Sequence, residues 1–534
     1  MSGRVLLIGL DGATFSILDP LIEEGVMPCL EKLIASGFRS QLTSVVPALT
    51  PPAWTSLMTG RSPGNHGIFD FLRFDLRSGR PQLRVMDSSD VACEAIWPMV
   101  SRQGREATVL NFPMTFPSQG TSGNVVPGWV PWRHLRLACR PKTLYDRLAS
   151  AVPGFNPREL AMDMALEERV LEGCHGEEDY ENLIRLHIRR ERQWFEVARY
   201  LMGEEPAALT AVLFDGVDKL QHFCWRFLDR DIFSRSPSEL DRRIRGWCLD
   251  YFREIDSFIG ELSASYGEDD AVFLASDHGF GPTVEVFHVN AWLAREGHLA
   301  WANASNVEQK HAETLGMGTM ARRFYEIDWQ KSTAYCPTPS SNGIYILPPG
   351  PDGSGVPREK YEHFRRTLME GLLSFTDPVT GVRPVVRIYT REEAFSGSAM
   401  EHAPDLTLIM RDGGLVSILP SEVLLKHRVE TTGAHRPEGV FIAAGRGIRR
   451  GVSGAALSIL DVAPTLLYAL GLPLSADFEG RVPEALIEPA HLRANPVEFA
   501  AAQEKAMAVA AAGELDPRME AEVMGQLRAL GYME

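Results

Sequence analysis

The stretch RVLLIGLDG, residues 4–12, decides the fold. Its apolar run is short, contains β-branched residues and ends in an Asp and a Gly, as a buried strand followed by a tight turn does. Two later stretches repeat this pattern, ALTAVLFDG at 208–216 and DAVFLASDHG at 270–279. We interpret all three as strands that are buried on both faces of one sheet.

Longer amphipathic stretches separate these strands. Helical spacing is found in EDYENLIRLHIRRERQWFEVARYLM (178–202) and in RIRGWCLDYFREIDSFIGELSASYG (243–267), and PLIEEGVMPCLEKLIASG (20–37) is predicted as one helix. Strands that alternate with helices predict an α/β fold with a mostly parallel central sheet and helices on both faces.

Segments that break the alternation are predicted as insertions into this core. The core is expected to be discontinuous and to comprise residues 1–116, 206–282 and 431–485. Residues 117–205 are predicted as a helical insertion, and 283–430 as a cap that covers the site and selects the substrate. The Ala/Glu-rich end, 486–534, is predicted as a C-terminal helical arm.

Composition and charge exclude several classes of protein. The formal net charge of −16 disfavours nucleic acid as a partner, because phosphate backbones attract basic surfaces. The 7 Cys residues are scattered and never spaced as CxxC, which argues against a disulfide framework or a zinc finger. No apolar run approaches the ~18 residues that cross a bilayer, and the first run leads directly into a glycine turn. We therefore predict a cytoplasmic protein without a membrane partner; its oligomeric state is left open.

Acidic and histidine side chains follow the ends of the predicted strands. In an open α/β sheet, this is the edge at which ligands bind. Each residue alone also fits a turn, a helix cap or a hydrogen-bonded histidine, but together they offer the carboxylate and imidazole ligands of a hydrolytic two-metal site. The residues are Asp11, Asp215, Asp218, Asp277, His278 and His435, the last in the predicted loop TTGAHRPEG at 431–439.

Spacing supports this interpretation at two positions. Asp218 and His222 are four residues apart in DKLQH, which places both on one face of a helix, where they can share an ion. Asp277 and His278 are adjacent, so they reach a common ion only from a loop, and the following Gly279 is expected to supply it.

Thr50 in PALTPPAWTSLMTG (47–60) precedes two prolines at the start of a predicted helix. Its hydroxyl is either an N-cap or a nucleophile. A divalent metal lowers the pKa of an oxygen bound to it, and the N–H groups at a helix start suit a phosphoryl group.

Taken in order, the stretches LLIGLDG, ALTPPAWTSLMTG, DKLQH, FLASDHGF, GAH and LDVAPTLLYALGLP resemble the alkaline phosphatase superfamily, in particular its nucleotide pyrophosphatase/phosphodiesterase branch. The resemblance implies two divalent ions, usually zinc, although Asp and His ligands also suit Mn²⁺. One ion would be held by Asp11, Asp277, His278 and the Thr50 oxygen, and the other by Asp218, His222 and His435.

The resemblance further implies a metal-dependent phosphohydrolase that acts on a small-molecule phosphate ester. Thr50 would be the nucleophile and would form a phosphothreonine intermediate. The length from Thr50 to Gly60 matches the start of the family's nucleophile helix, which favours Thr50 over Thr55 or Ser56.

One departure from the branch concerns substrate contacts. The branch commonly places a phosphate-contacting Asn after HGI, whereas this chain has Asp70 and Phe71 in NHGIFDF. We consider Asp70, Asn111 and His288 as candidate substrate contacts. Asn111 also fits a turn residue at a strand end, and His288 a packed turn histidine.

Three alternatives are kept. A phosphotransferase or mutase would use the same two-metal site with another acceptor, and a metal-binding scaffold would use it without hydrolysis. The sequence GRSPG at 60–64 also spells GxSxG, the motif of metal-independent serine hydrolases, with Ser62 as nucleophile.

Overall fold

A computed structural model of the chain describes residues 3–77, 80–118, 120–160, 176–302, 326–350 and 353–502. Its strands, numbered in chain order, are β1 Val5–Leu10, β2 Phe38–Thr43, β3 Leu72–Arg77, β4 Arg80–Val85, β5 Ala107–Leu110, β6 Gly123–Val126, β7 Leu209–Phe214, β8 Ala271–Ala275, β9 Gly279–His288, β10 Ala334–Tyr335, β11 Gly343–Ile346, β12 Val385–Thr390, β13 Leu406–Met410, β14 Leu415–Ser417, β15 Leu425–Arg436, β16 Glu438–Gly445, β17 Val452–Ser453, β18 Leu457–Ser458, β19 Leu474–Ser475 and β20 Phe499–Ala500.

The helices are named by their bounds. The α-helices in the described part of the chain are Phe15–Glu23, Pro28–Ser36, Thr50–Thr59, Pro63–His66, Ile96–Arg102, Trp132–Ala138, Leu144–Ala151, Pro157–Leu160, Glu177–Glu204, Gly216–Leu228, Arg230–Phe233, Glu239–Ala264, Val289–Arg295, Tyr361–Ser374, Arg391–Ala394, Val462–Ala469 and Pro489–Ala494.

The central sheet has nine strands in the order β17-β2-β16-β8-β1-β7-β5-β6, with β18 also paired to β2. Strands β8, β1, β7, β5 and β6 are all parallel to one another, and β16 alone runs antiparallel to its neighbours β8 and β2. The structure confirms the predicted α/β class with a mostly parallel sheet.

Helices cover both faces of this sheet, and the side chains of β1 are therefore buried on both sides. Leu6, Ile8 and Leu10 belong to one hydrophobic core, which includes side chains from the helices Glu177–Glu204 and Glu239–Ala264. The alternate residues Val5 and Leu7 belong to a second core on the other face. All six residues of β1 are buried, which explains why its sequence is an unbroken apolar run.

The segment predicted as a cap has a hydrophobic core of its own, formed by side chains between Phe287 and Leu425. A four-stranded sheet, β10-β11-β13-β12, lies within it. Its boundaries fall inside paired strands, because β9 and β15 cross the predicted limits at 282/283 and 430/431 and pair antiparallel with each other. Two long strands thus connect the core to the cap.

Three expectations about local structure differ from the observed elements. The segment 117–205 is not wholly helical, since it contains β6, which pairs with β5 at the edge of the central sheet. The single helix predicted at 20–37 is two helices, because Gly25 adopts a positive φ of 72° and Pro28 begins the second helix. His435 lies in strand β15 opposite Phe280, not in a loop.

Most of the predicted C-terminal arm, 503–534, lies outside the described residues. The described part, up to residue 502, contains the short helix Pro489–Ala494 and β20, which pairs with β19. Among the helices that the structure describes, none is both long enough and apolar enough to span a membrane.

Candidate active site

The parallel strands place the predicted acidic residues at one edge of the sheet. Leu10 at the end of β1 is paired with Phe214 at the end of β7, and Gly9 is paired with Ala275 at the end of β8. The residues that follow these strand ends include Asp11, Asp215 and Asp277, and all three are buried. Chain direction and strand register thus bring Asp11 close to side chains that follow it in the sequence by more than 200 residues.

The first group of polar atoms surrounds the Nε2 atom of His278. This nitrogen lies 3.6 Å from Asp11 Oδ1, 3.3 Å from Asp277 Oδ2 and 3.3 Å from Thr50 Oγ1. We call these four residues the Asp11 cluster. Asp277 and His278 lie in the short connection between β8 and β9, and Gly279 begins β9 where a Cβ atom would lie 1.9 Å from the Glu438 carbonyl oxygen.

The second group consists of Asp218, His222 and His435, which we call the Asp218 cluster. Asp218 Oδ1 lies 3.5 Å from His222 Nε2 and 3.2 Å from His435 Nε2, and the two nitrogens are 3.0 Å apart. Asp218 and His222 lie one turn apart on the helix Gly216–Leu228, as their spacing predicts. The rings of His278 and His435 stack with centroids 3.9 Å apart, so the two clusters are adjacent.

The donor atoms fit divalent metal ions in type and spacing. A tetrahedral zinc ion with bonds of about 2.0–2.2 Å places its ligand atoms about 3.3–3.6 Å apart, close to the separations in both clusters. Three buried oxygens, Asp11 Oδ1, Asp218 Oδ1 and Asp277 Oδ2, accept no well-formed hydrogen bond from a described residue. Buried carboxylate oxygens are rarely left without a partner, and a cation in each cluster would supply one.

The three imidazoles are oriented for metal binding through Nε2. In each ring the other nitrogen faces a backbone carbonyl, to which it donates, so the Nε2 lone pair is directed into its cluster. His278 Nδ1 lies 3.2 Å from Gly279 O, His435 Nδ1 lies 3.2 Å from Ala48 O, and His222 donates to the Gly433 carbonyl.

Burial sets the charges at the site. Full burial lowers the pKa of His278 well below the usual range, and partial burial lowers that of His222 to about 4, so both rings are neutral, the form that binds a metal. Burial and neighbouring carboxylates raise the pKa of Asp11 and Asp277 well above the usual range. Two such carboxylates are stable together as anions only when a positive charge lies between them.

Thr50 is the first residue of the helix Thr50–Thr59, and the N-cap is Leu49. The N-cap interpretation of its hydroxyl is therefore wrong. The neighbouring hydroxyls are already occupied, since Thr55 Oγ1 donates to the Pro51 carbonyl at 2.7 Å and Ser56 Oγ lies 2.9 Å from His66 Nε2. Thr50 Oγ1 instead faces His278 in the Asp11 cluster.

The start of this helix offers fewer amide donors than expected. Pro51 and Pro52 carry no N–H, and the Ala53 amide donates to the Leu49 carbonyl at 2.9 Å. The amide of Thr50 itself is what remains for a ligand, so the predicted set of N–H groups is reduced to one.

Several buried residues that support the clusters were not predicted from the sequence. The Trp54 indole N–H donates to Asp11 Oδ2 at 3.3 Å, and the Gly12 amide donates to Asp277 Oδ1 at 3.1 Å. Gln221 Nε2 donates to the Gly12 carbonyl at 2.8 Å, which fixes the helix carrying Asp218 and His222 against the turn that follows β1.

Glu191 fixes the beginning of that same helix. Its Oε1 atom accepts the Gly216 amide at 2.5 Å and the Tyr251 hydroxyl at 3.2 Å, and the carboxylate is fully buried. Glu191 lies on the helix Glu177–Glu204, within the segment predicted as an insertion. This segment therefore contributes directly to the geometry of the Asp218 cluster.

We expect Trp54→Phe to weaken metal binding while it preserves the core. The substitution removes the hydrogen bond to Asp11 but keeps an aromatic ring against Phe112, and loss of such a supporting bond reduces metal affinity about 10- to 100-fold. A competition titration with a metal-binding dye measures the affinity. Trp97→Phe is the matched control, because Trp97 also packs on Phe112 and its indole N–H has no acceptor among the described residues. Equal affinities in the two variants would contradict the assignment.

The clusters open into a cleft of about 410 Å³ that is lined by both the core and the cap. Asp11, Thr50 and Asp218 lie on its core side, and the cap contributes Ser340–Asn342 and Thr407–Met410. Phe71 and Trp129 also line the cleft, with their rings stacked at 5.1 Å and nearly parallel. A small ester can therefore place its polar group at the clusters and an apolar group against this aromatic pair.

Asp70, a predicted substrate contact, makes a different set of contacts. It is buried and accepts hydrogen bonds from the Thr338 hydroxyl, from Ser340 Oγ at 3.2 Å and from the Phe71 amide at 2.6 Å. Its neighbours Phe71 and Ser340 line the cleft, but Asp70 itself is not among the lining residues. The side chain holds the cap segment 338–340 against the core.

Asn111 and His288 also lie apart from the cleft lining. Asn111 has a positive φ of 65° at the end of β5, and its amide donates to the Leu213 carbonyl at 3.0 Å, as a turn residue at a strand end does. His288 is the last residue of β9, and burial lowers its pKa. Their predicted contacts with substrate therefore have no geometric support.

Two further polar residues near the helix Thr50–Thr59, His66 and the predicted alternative nucleophile Ser62, are explained by local structure. His66 is fully buried, accepts the Ile68 amide on Nδ1 at 3.1 Å and faces Ser56, and burial lowers its pKa to about 3. Ser62 follows the helix Thr50–Thr59, not a strand, and its hydroxyl donates to Glu479 at 2.9 Å. The strand-turn-helix that a serine hydrolase requires is thus not formed at Ser62.

Comparisons with known proteins agree with this geometry. A sequence model of the family described as "Type I phosphodiesterase / nucleotide pyrophosphatase" matches residues 5–435, a range that contains both clusters and ends at His435. No curated protein matches the chain significantly.

Among solved structures, phosphonoacetate hydrolase from Sinorhizobium meliloti 1021 in complex with phosphonoformate is similar, with a TM-score of 0.53 and 16% identity over 88% of this chain and 95% of that chain. Its complex with phosphonoacetate gives a TM-score of 0.51 at the same identity and coverage. An inactive variant of murine ectonucleotide pyrophosphatase/phosphodiesterase 5 in complex with AMP gives 0.49 and 15% over 88% and 95%. The two phosphonoacetate hydrolase structures establish that the chain shares their fold.

Proposed function

The chain belongs to the type I phosphodiesterase / nucleotide pyrophosphatase family of the alkaline phosphatase superfamily, and from this premise we propose that it is a phosphohydrolase with two divalent metal ions. Its substrate is a small-molecule phosphate ester, and Thr50 is the nucleophile. The observation that carries this proposal is the position of Thr50 Oγ1, 3.3 Å from His278 Nε2 in the Asp11 cluster and at the wall of the cleft into which the Asp218 cluster also opens.

The donor sets assign a ligand role to each residue. The carboxylates and imidazoles of Asp11, Asp277 and His278 would hold one ion, with the Thr50 oxygen as the fourth ligand, and the Asp218 cluster would hold the other. When bound, the ions would lower the pKa of the Thr50 hydroxyl and offset the negative charge that develops on the oxygens around phosphorus. The mixture of Asp and His favours zinc and also accommodates manganese.

The residues of the chain perform an in-line displacement in two steps. The Thr50 oxygen forms a bond to phosphorus while the bond from phosphorus to the ester oxygen breaks on the opposite side, which leaves phosphothreonine and an alcohol. Water then attacks phosphorus, the bond to Thr50 breaks, and inorganic phosphate or a phosphate monoester is released. Two inversions leave the configuration at phosphorus retained. The chain's contribution is mainly to position these groups, since phosphoryl transfer needs little other covalent chemistry.

A panel of p-nitrophenyl phosphate, bis(p-nitrophenyl) phosphate and p-nitrophenyl phenylphosphonate tests this proposal. We expect hydrolysis of at least one ester by the metal-loaded protein, loss of activity in a chelator and recovery with Zn²⁺ or Mn²⁺, because both clusters depend on a bound cation. Activity that persists in the chelator would contradict a metal-dependent mechanism. p-Nitrophenyl acetate is the control substrate, since a serine esterase at Ser62 would hydrolyse it without metal.

The same two-metal site also permits a phosphotransferase, in which another acceptor replaces water. Release of inorganic phosphate from a monoester, measured against the appearance of a phosphorylated acceptor when glycerol is added, separates the two reactions. We place the chain among the hydrolases because the cleft is open to solvent and its family is defined by phosphodiesterases and pyrophosphatases.

A further inference from the structure

We propose that Asn342 and Thr407, two residues of the cap, bind an uncharged hydroxyl group on the organic part of the ester. The inference rests on the proposed function and deepens it, because it names a class of substrate: phosphate esters of alcohols that carry a further hydroxyl group. It is carried by the position of the two side chains in the cleft, by their hydrogen-bonding groups and by the uncharged character of the cap residues around them.

The cap side of the cleft is where the organic group of an ester must lie. Thr50 and both clusters belong to the core side, so the phosphorus atom that Thr50 attacks is held there. Asn342 and Thr407 line the same cleft from the cap. The part of the substrate that reaches these two residues is therefore the group bonded to the ester oxygen, not the phosphoryl group itself.

Asn342 presents a side-chain amide on a fixed backbone. The residue is half-buried, and its amide group makes no hydrogen bond to any residue that the structure describes. Its φ of 52° is left-handed, and its carbonyl accepts the Leu408 amide at 2.9 Å. Thr338 and Ser340, which precede it, donate to Asp70 and so tie this segment to the core. The amide is thus held in position with its donors and its acceptor available to a ligand.

Thr407 directs a hydroxyl away from the core of the cap. Leu406 and Leu408, its neighbours in β13, belong to that core, so the side chain of Thr407 points to the opposite face of the sheet. Gly343, which is paired with Thr407 in β11, has no side chain that would cover this hydroxyl. Thr407 is 2% exposed, and its Oγ1 atom has no hydrogen-bond partner among the described residues. Buried hydroxyls rarely lack a partner, and this one lies at the wall of the cleft.

The surroundings favour an uncharged group. The cap residues in the described lining of the cleft, at 339–342, 407–410 and 413–415, include no Asp, Glu, Lys, Arg or His. A carboxylate or an ammonium group bound there would lose hydration without gaining an opposite charge. A hydroxyl group costs less to desolvate, and it both donates and accepts hydrogen bonds, as do the amide of Asn342 and the hydroxyl of Thr407. The side chains therefore suit a hydroxyl group on the ester.

Binding of two matched esters to the metal-loaded protein tests the proposal. Glycerol 1-phosphate and n-propyl phosphate have the same charge and the same number of carbon atoms, and only the first carries further hydroxyl groups. The Thr50→Ala background removes the proposed nucleophile, so that binding is measured without turnover. By calorimetry we expect a dissociation constant about 10-fold lower for glycerol 1-phosphate, because n-propyl phosphate leaves the polar groups of the cap desolvated and without partners.

Asn342→Gly and Thr407→Val, each made in this background, distinguish a ligand contact from a structural role. Glycine adopts a positive φ without strain and valine fits a strand, so we expect both variants to fold, with no loss of Tm in Thr407→Val. Each is expected to raise the dissociation constant of glycerol 1-phosphate about 3- to 10-fold and to leave that of n-propyl phosphate nearly unchanged. Thr367→Val is the matched control, since Thr367 lies on the cap helix Tyr361–Ser374, is exposed and does not line the cleft.

The outcomes separate this contact from the proposed function. Equal affinity for the two esters, binding of neither, or discrimination that persists in Asn342→Gly or in Thr407→Val would overturn the proposal. If glycerol 1-phosphate is preferred through these two residues but the protein with Thr50 intact hydrolyses no ester, the proposed function fails and the contact stands. If esters are hydrolysed and the two matched esters bind equally well, the contact fails and the proposed function stands.

Discussion

Thr50→Ala is expected to reduce turnover of phosphate esters by about 10⁴-fold or more, because it removes the only atom of the side chain that can bond to phosphorus. The folded state is expected to survive, since Thr50 makes no capping hydrogen bond and Ala is compatible with the first turn of a helix. Metal content is expected to remain close to the wild-type value, because Asp11, Asp277 and His278 are unchanged. Steady-state rates with p-nitrophenyl esters and elemental analysis of the same samples measure both quantities.

Thr55→Ala provides the matched control for this substitution. Thr55 lies on the same helix, is also buried and donates its hydroxyl to the Pro51 carbonyl at 2.7 Å. Its replacement is expected to cost stability and to leave the chemical step nearly unchanged. Acid quenching of the wild-type protein with a labelled ester is expected to trap label on Thr50. Substantial activity in Thr50→Ala would contradict the nucleophile assignment.

His435→Ala is expected to remove one of two bound metal equivalents and to lower kcat/KM by about 10³-fold, because one half of a two-metal clamp contributes several kcal/mol to transition-state stabilisation. The imidazole lies 3.2 Å from Asp218 Oδ1 and 3.0 Å from His222 Nε2, so its loss leaves that cluster with two donors. The Asp11 cluster keeps all of its donors and is expected to retain its ion. Metal stoichiometry by plasma mass spectrometry and kinetics on the same preparation test both expectations.

His427→Ala is the control for His435→Ala. His427 lies on the same strand, β15, with its side chain 38% exposed and 3.9 Å from Glu285, outside the cleft. We expect its metal content and activity to match the wild type. Loss of both ions in His435→Ala would show that the two clusters do not bind independently, and an unchanged stoichiometry would contradict the ligand assignment.

The sequence alone predicts that the acidic residues after the strand ends of the candidate site lie close together. Asp11 and Asp277 follow apolar runs whose burial on both faces makes a parallel sheet the expected fold, and parallel strands bring their carboxyl ends to one edge. The four-residue spacing of Asp218 and His222 fixes their shared helix face in any helical context. These rules are local or follow from chain direction, so they do not need the tertiary structure.

The supporting contacts could not be predicted in the same way, because they join distant elements. Glu191 reaches Gly216 from a helix whose own sequence gives no indication of its neighbour, and Trp54 reaches Asp11 from the helix Thr50–Thr59. Gln221 did carry a signal, since an amide on the apolar face of an amphipathic helix must find a buried partner. For Asp70 the family position suggested a phosphate contact, whereas three hydrogen bonds tie it to the cap and to its own turn.

Two further differences between the predicted and the observed elements arise where one sequence signal is outweighed by another interaction. The helical pattern at 20–37 continues through Gly25, but a glycine with positive φ and the Pro28 that follows make two short helices more stable than one long helix. The glycine and proline around His435 indicate a loop, and pairing with β9 extends a strand through it instead. Tertiary pairing outweighs local preference in such stretches.

The central claim is that strand ends distant in sequence hold two cations beside one hydroxyl. Anomalous X-ray scattering at the absorption edge of the bound metal, from crystals of zinc- or manganese-loaded protein, tests this claim most directly. We predict two peaks about 4 Å apart, one bonded to Asp11, Asp277 and His278 and the other to Asp218, His222 and His435, with Thr50 Oγ1 beside the first. A map without peaks at the two clusters, or with the Thr50 oxygen remote from both, would contradict it.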